Sequence, residues 1–204
     1  MTKSTVMKIL KFFERNKKTK SETVKTKKPS PEQILFAETV LDIIYPTVEK
    51  FGFARHRTEI ETYSTTIIFR KDKLYIKVNS STYPKDYPFF YNIVLGEGDS
   101  EDFFEFDWNS IALWYLKKEI EPKLEVKEYE FPIGEKVKYS LKNANEELLK
   151  YGITFLTGDL NLFHDTRKKL NKDREPYKIH SPSKNGSYET TDEPKSVEQK
   201  KKYS

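Results

Sequence analysis

Between Arg55 and Leu95 apolar and polar side chains alternate with a period of two, and that period excludes a helix there. In Lys73–Asn79, Leu74, Ile76 and Val78 share one face while Tyr75, Lys77 and Asn79 share the other. Thr65–Arg70 precedes this run with β-branched and aromatic residues, and Lys71-Asp72 between them has the spacing of a tight hairpin without its favoured glycine. Arg55–Tyr63 supplies a more polar strand before the pair. Phe89–Leu95 supplies one after it, beyond a loop containing Pro84 and Pro88. Connections this short leave no room for crossover helices. The expectation is an antiparallel meander of about four strands, one face buried and one wet.

Helical periods flank the meander. Ser30-Pro31-Glu32-Gln33 is a helix start, with a hydroxyl cap, a first-turn proline and Gln33 as the capping-box partner. Ile34, Leu35, Leu41, Ile44, Val48 and Phe51 continue the stripe, Pro46 interrupts it and Gly52 ends it. After the meander, Asp107 is expected to cap a helix over Trp108–Glu119. Val137, Leu141, Ala144, Leu148 and Tyr151 then step by four and three, and Asp159 caps a last helix through Leu170. Helix, strands, helices is an α+β order, a sheet with helices gathered on one face.

The net charge of +5 suggests nucleic acid only while it is read as one number. Residues 1–31 carry ten Lys/Arg against two acids, and residues 167–204 carry eleven against six. The middle is left with sixteen basic and twenty-four acidic residues, a net of −8. Local field, not the chain total, steers partners. The basic ends also lack core stripes. The division expected is therefore a flexible basic segment at 1–31, a single acidic α+β domain at 32–172, and a disordered charged tail at 173–204. Within the first segment Val6, Ile9, Leu10 and Phe13 fit a short amphipathic helix over 6–15, which makes a peripheral membrane contact a further reading. The first residues lack the apolar run and cleavage site of a secretory leader, so a cytoplasmic chain is expected.

Glu97, Asp99, Glu101, Asp102 and Glu105, with Asp107, form an acidic loop containing no positive charge. The spacing fails as a calcium loop. Gly96-x-Gly98 is half a phosphate motif, and six carboxylates repel phosphate. A surface for a basic protein partner fits the pattern best. The sequence contains zero Cys, which excludes thiolate chemistry. His56, His164 and His180 have no placed nucleophile, and His164 and Asp165 are helix neighbours that do not face each other. Asp72, Lys73 and Lys77 with Glu59 and Glu61 give a weak match to a metal-dependent nuclease or hydrolase, the alternative reading, because no Glu-x-Lys occurs in the meander. Tyr83, Tyr87, Phe89, Phe90 and Tyr91 read as a plug at the sheet's end rather than a base-stacking platform. No catalytic residue, metal site or cofactor is assigned.

The order of a leading helix into Phe51-Gly52-Phe53, the runs Ile67-Ile68-Phe69 and Tyr75-Ile76-Lys77-Val78, an acidic turn and a Trp108-bearing helix is similar to small bacterial α+β proteins of toxin-immunity type. The resemblance covers roughly 32–170. It implies a non-enzymatic inhibitor that binds and blocks a partner, often a basic nuclease, with acidic surface standing in for that partner's substrate.

Overall fold

Ser30 starts the first helix, α1 (Pro31–Ile43), by accepting a hydrogen bond at its Oγ from the Gln33 backbone N–H at 3.2 Å. Pro46 keeps the next turns apart as a separate short helix, α2 (Tyr45–Glu49). Gly52, at φ +89°, then turns the chain into the sheet in a conformation that a side chain would oppose. The structure is a computed structural model and describes residues 28–99, 103–125, 128–182 and 187–204. The expectations for the basic segment 1–31, the helix over 6–15 included, fall on residues outside the described ones as far as 27; its last residues, Ser30 and Pro31, belong to the start of α1.

The meander forms as the alternation requires: β1 (Ala54–Ile60), β2 (Ser64–Lys71), β3 (Leu74–Ser81) and β4 (Phe90–Glu97) pair antiparallel in sequence order. The β2–β3 loop is Asp72-Lys73, one residue later than its spacing suggests, and Asp72 takes φ +51° where a glycine is usual. Ile67, Phe69, Ile76, Val78, Ile93 and Leu95 face one side and form a continuous core with Phe36, Val40 and Ile44 of α1. Helix α5 (Lys136–Tyr151) adds Leu141, Ala144 and Leu148 to the same core, on the stripe its 4-3 spacing defines.

Gln33 does not return to its own cap. It is fully buried, its Oε1 accepts from Thr65 Oγ1 (2.7 Å) and Ser80 Oγ (2.8 Å), and its amide donates to Thr82 Oγ1 (2.9 Å). The two strands' hydroxyls outcompete the capping box because they lie inside, where an unmet polar group costs most.

The helix expected over Trp108–Glu119 is replaced by three elements: α3 (Phe103–Trp108), a strand β5 (Ser110–Ala112) that pairs with β4, and α4 (Leu113–Ile120). Asp107 caps none of them. Ile111 lies opposite Leu95, so the three residues gain a ladder and a buried β-branched side chain where a helix would have offered only one stripe. A two-residue strand, β6 (Tyr129–Glu130), pairs with the other end of β4, and α6 (Ile153–Thr157) leads into α7 (Asn161–Lys172).

The disordered tail expected at 173–204 is also corrected. A hairpin, β7 (Lys178–Pro182) with β8 (Tyr188–Asp192), leads into α8 (Pro194–Tyr203), which packs on α3 and α7. Glu193 caps α8, accepting from Ser196 N at 2.6 Å, and Pro194 occupies the first turn. Both are start signals. The segment lacks an apolar stripe because polar contacts hold it. As a result the second face of the sheet is not uniformly wet: Tyr75 is fully buried there, 5.0 Å from the Phe106 ring of α3. Of the aromatic cluster at 83–91 only Tyr91 is fully buried, while Tyr87 is exposed. No helix among the described residues is long and apolar enough to cross a membrane.

Candidate functional site

The acidic segment begins at the end of β4. Glu97 Oε2 accepts from His164 Nε2 at 2.9 Å and from Arg167 at 3.0 Å, both carried on α7. Burial pushes the Glu97 carboxyl up, but these two hydrogen bonds and the charge behind them outweigh it and hold the group below its ordinary range. Asp99 meets Lys73 at 3.4 Å, with both side chains about 70% exposed (71% and 73%). Glu101 and Asp102 lie outside the described residues. Glu105 is turned inward, 8% exposed, and takes the Tyr203 hydroxyl at 2.9 Å with the Lys202 ammonium at 3.4 Å. Asp107 pairs with Arg174 and accepts from the Tyr177 hydroxyl at 2.5 Å.

The four described carboxylates of the loop, expected to lie uncompensated, are therefore compensated from a distance. Apart from Lys73, which meets Asp99 from the β2–β3 turn, the cations and hydroxyls come from α7 and from the segment carrying α8, up to 98 residues along the chain. Asn171 ties the two together: its amide donates to Trp108 O (2.8 Å) and Tyr203 O (3.1 Å). Arg174 adds its guanidinium over the Trp108 ring at 4.9 Å. Among the described residues, what remains open on this flank is chiefly Asp99.

The groups considered for metal-dependent hydrolysis are not brought together. Asp72 stands in the β2–β3 turn, Lys73 pairs with Asp99, Glu59 pairs with Arg57 at 3.2 Å, and Glu61 accepts from Ser64 Oγ at 2.9 Å. Among the described residues no three His, Asp or Glu side chains gather as a metal site. His164 does have a carboxylate partner, but it is Glu97, 67 residues away, and not its neighbour Asp165. His180 sits on the exposed hairpin, its Nδ1 2.9 Å from Thr190 Oγ1.

Lys77 has a different setting. It rises from β3 on the second face of the sheet into a cleft of about 480 Å³, walled by Asn79, Asn92 and Val94 below and by Phe106, Asp107 and Arg174 above. Burial holds its ammonium pKa below the ordinary lysine range; Asp107 opposes the shift and Arg57 adds to it. Sequence reasoning weighed Lys77 only as a nuclease lysine. Its place beside Asn79 on the supposedly wet face was the available signal.

No protein-family model, curated protein or solved structure matches this chain.

Proposed function

We propose that the chain is a non-enzymatic binding protein, an inhibitor of immunity type, whose acidic flank receives basic side chains of a protein partner. The supporting observation is that Glu97, Asp99, Glu105 and Asp107 each already receive a His, Arg, Lys or Tyr side chain from elsewhere in the chain. A flank that seats cationic groups one by one suits a partner rich in Lys and Arg. Exchange begins at Asp99, because an exposed pair such as Lys73–Asp99 contributes little and opens readily. On this reading the protein works in a bacterial cytoplasm, and charge sets chiefly how fast the partner arrives.

The test replaces Asp99, Glu101 and Asp102 together by Asn, Gln and Asn. The full chain and the triple variant are immobilised side by side and exposed to lysate of the source cells at low and high salt. The expected result is a basic protein retained by the wild type, associating more slowly with the variant, the difference vanishing as salt rises. Equal association rates at every salt concentration would end the reading, as would retention of an acidic partner.

A further inference from the structure

The Lys77 cleft holds polar groups that the fold itself does not use. Among the described residues the ammonium makes no hydrogen bond or ion pair; it stands over the Phe106 ring, 5.5 Å from Nζ to the centroid. Asn79 and Asn92 sit opposite each other in the β3–β4 register. Asn92 spends its amide nitrogen on Glu128 at 2.7 Å, which fixes its Oδ1 as a free acceptor. Both Asn79 Oδ1 and Asn92 Oδ1 are shut off from solvent without a donor. Buried polar atoms without partners are uncommon and ask for an explanation. Two such acceptors and an ammonium without an ion pair, around one cleft, have a common one.

The charge balance narrows the ligand. Arg174 is already paired with Asp107, which leaves Lys77 as the one charged side chain of the cleft's described lining without an ion pair. One free cation matches a monoanion and underpays a phosphate dianion. The two amide oxygens require hydrogen-bond donors next to that anion. Val94, Ala112 and Tyr115 add apolar wall, and a volume of about 480 Å³ lies within the range of small-ligand sites. We propose that this cleft binds a small monocarboxylate that carries a hydroxyl or amino group beside its carboxylate. Lys77 receives the carboxylate, Asn79 and Asn92 accept from the neighbouring hydroxyl or ammonium, and the apolar wall takes the carbon chain. The site is separate from the acidic flank except for Asp107, which here pairs with Arg174 and acts on Lys77 through its charge alone.

Four molecules of one shape test the assignment on the full-length protein by calorimetry, with the side-chain amide signals of Asn79 and Asn92 followed by NMR. L-Leucine and 2-hydroxy-4-methylpentanoate carry both features, 4-methylpentanoate lacks the donor, and leucinamide lacks the carboxylate. The expected result is saturable binding of one or both of the first two, with both amide signals shifted. 4-Methylpentanoate is expected to bind at least tenfold more weakly, and leucinamide not at all. Lys77→Met keeps the side-chain stem against Phe106 and removes a half-buried charge, so it melts no lower than wild type and loses at least tenfold in affinity. Leucinamide binding as well as leucine would remove Lys77 from the account, and equal binding of 4-methylpentanoate would remove the asparagines. Failure of all four to bind would overturn the site.

Discussion

Tyr203→Phe deletes one oxygen atom from the second-last residue of the chain and breaks the hydroxyl's 2.9 Å hydrogen bond to Glu105. The ring itself, 8% exposed and 4.9 Å beneath the Arg167 guanidinium, stays in place. A hydrogen bond to a charged acceptor contributes about 1.5–3 kcal/mol, and an inward-facing carboxylate that loses one suffers more than an exposed group. Glu105 retains Lys202 at 3.4 Å, a side chain more than half exposed, so the loss lies near the lower end, about 2 kcal/mol. If α8 unfolds together with the core, Tm drops by about 4–8 °C for a chain of this size. If α8 opens first as a terminal unit, Tm moves less, and amide exchange over residues 194–203 instead accelerates about 30-fold. Thermal melts and hydrogen exchange are therefore read together. Tyr139→Phe, which removes a hydroxyl from an exposed tyrosine of α5, is the control and leaves both unchanged. Wild-type melting together with wild-type exchange in Tyr203→Phe would refute the polar anchoring of the C-terminal segment.

Gly96→Ala would place a methyl group 2.0 Å from Tyr75 Cζ, and Tyr75 cannot retreat because Phe106 walls it and Asn109 Oδ1 holds its hydroxyl at 2.7 Å. A loss of about 3 kcal/mol is expected from such overpacking, and an unshifted urea midpoint would contradict it. Glu97→Gln should lower stability at neutral pH and flatten the acid limb. The folded carboxyl titrates below its ordinary 4.5, so its contribution is complete above that value and disappears as pH falls through the folded pKa. Parallel Tm–pH curves for wild type and variant from pH 7 to 3 would exclude that linkage.

Local chemistry was legible wherever a residue's fate depended on its near neighbours. Ser30, Pro31 and Gly52 mark the boundaries they were expected to mark, and Leu74, Ile76 and Val78 all turn to the helix side of the sheet. Legibility ended where a partner lay far along the chain. Ser110–Ala112 is a strand only because β4 offers it a ladder, and three residues carry no period to read. The tail from 173 has only Ile179 and Val197 as aliphatic side chains besides its prolines, and they form no stripe. It is held by Arg174 and Tyr177 on Asp107 and by Tyr203 on Glu105, pairings between unlike polar groups that leave no pattern in either segment. The acidic residues were visible one by one; that α7 and α8 would meet them was not. Lys77 and Asn79 were placed on the right face, but the lid over that face came from a helix that sequence reasoning started at Trp108, two residues beyond Phe106.

The buried Gln33 has a consequence for how the sheet chooses its alignment. Sliding β2 along β3 by one residue would turn its apolar side chains to the wrong face, and the hydrophobic effect alone forbids that. Sliding by two restores every side chain to its face, so hydrophobic alternation cannot detect the error. Thr65 and Ser80 are directly paired in the native alignment, and both hydroxyls converge on one oxygen of Gln33. A two-residue slip parts them and leaves Gln33 with unmet groups in an interior position, at about 1–3 kcal/mol for each. The helix can thus seat fully only on a correctly aligned hairpin. A single amide, 32 and 47 residues from the two hydroxyls it reads, works as a proofreading gauge during assembly.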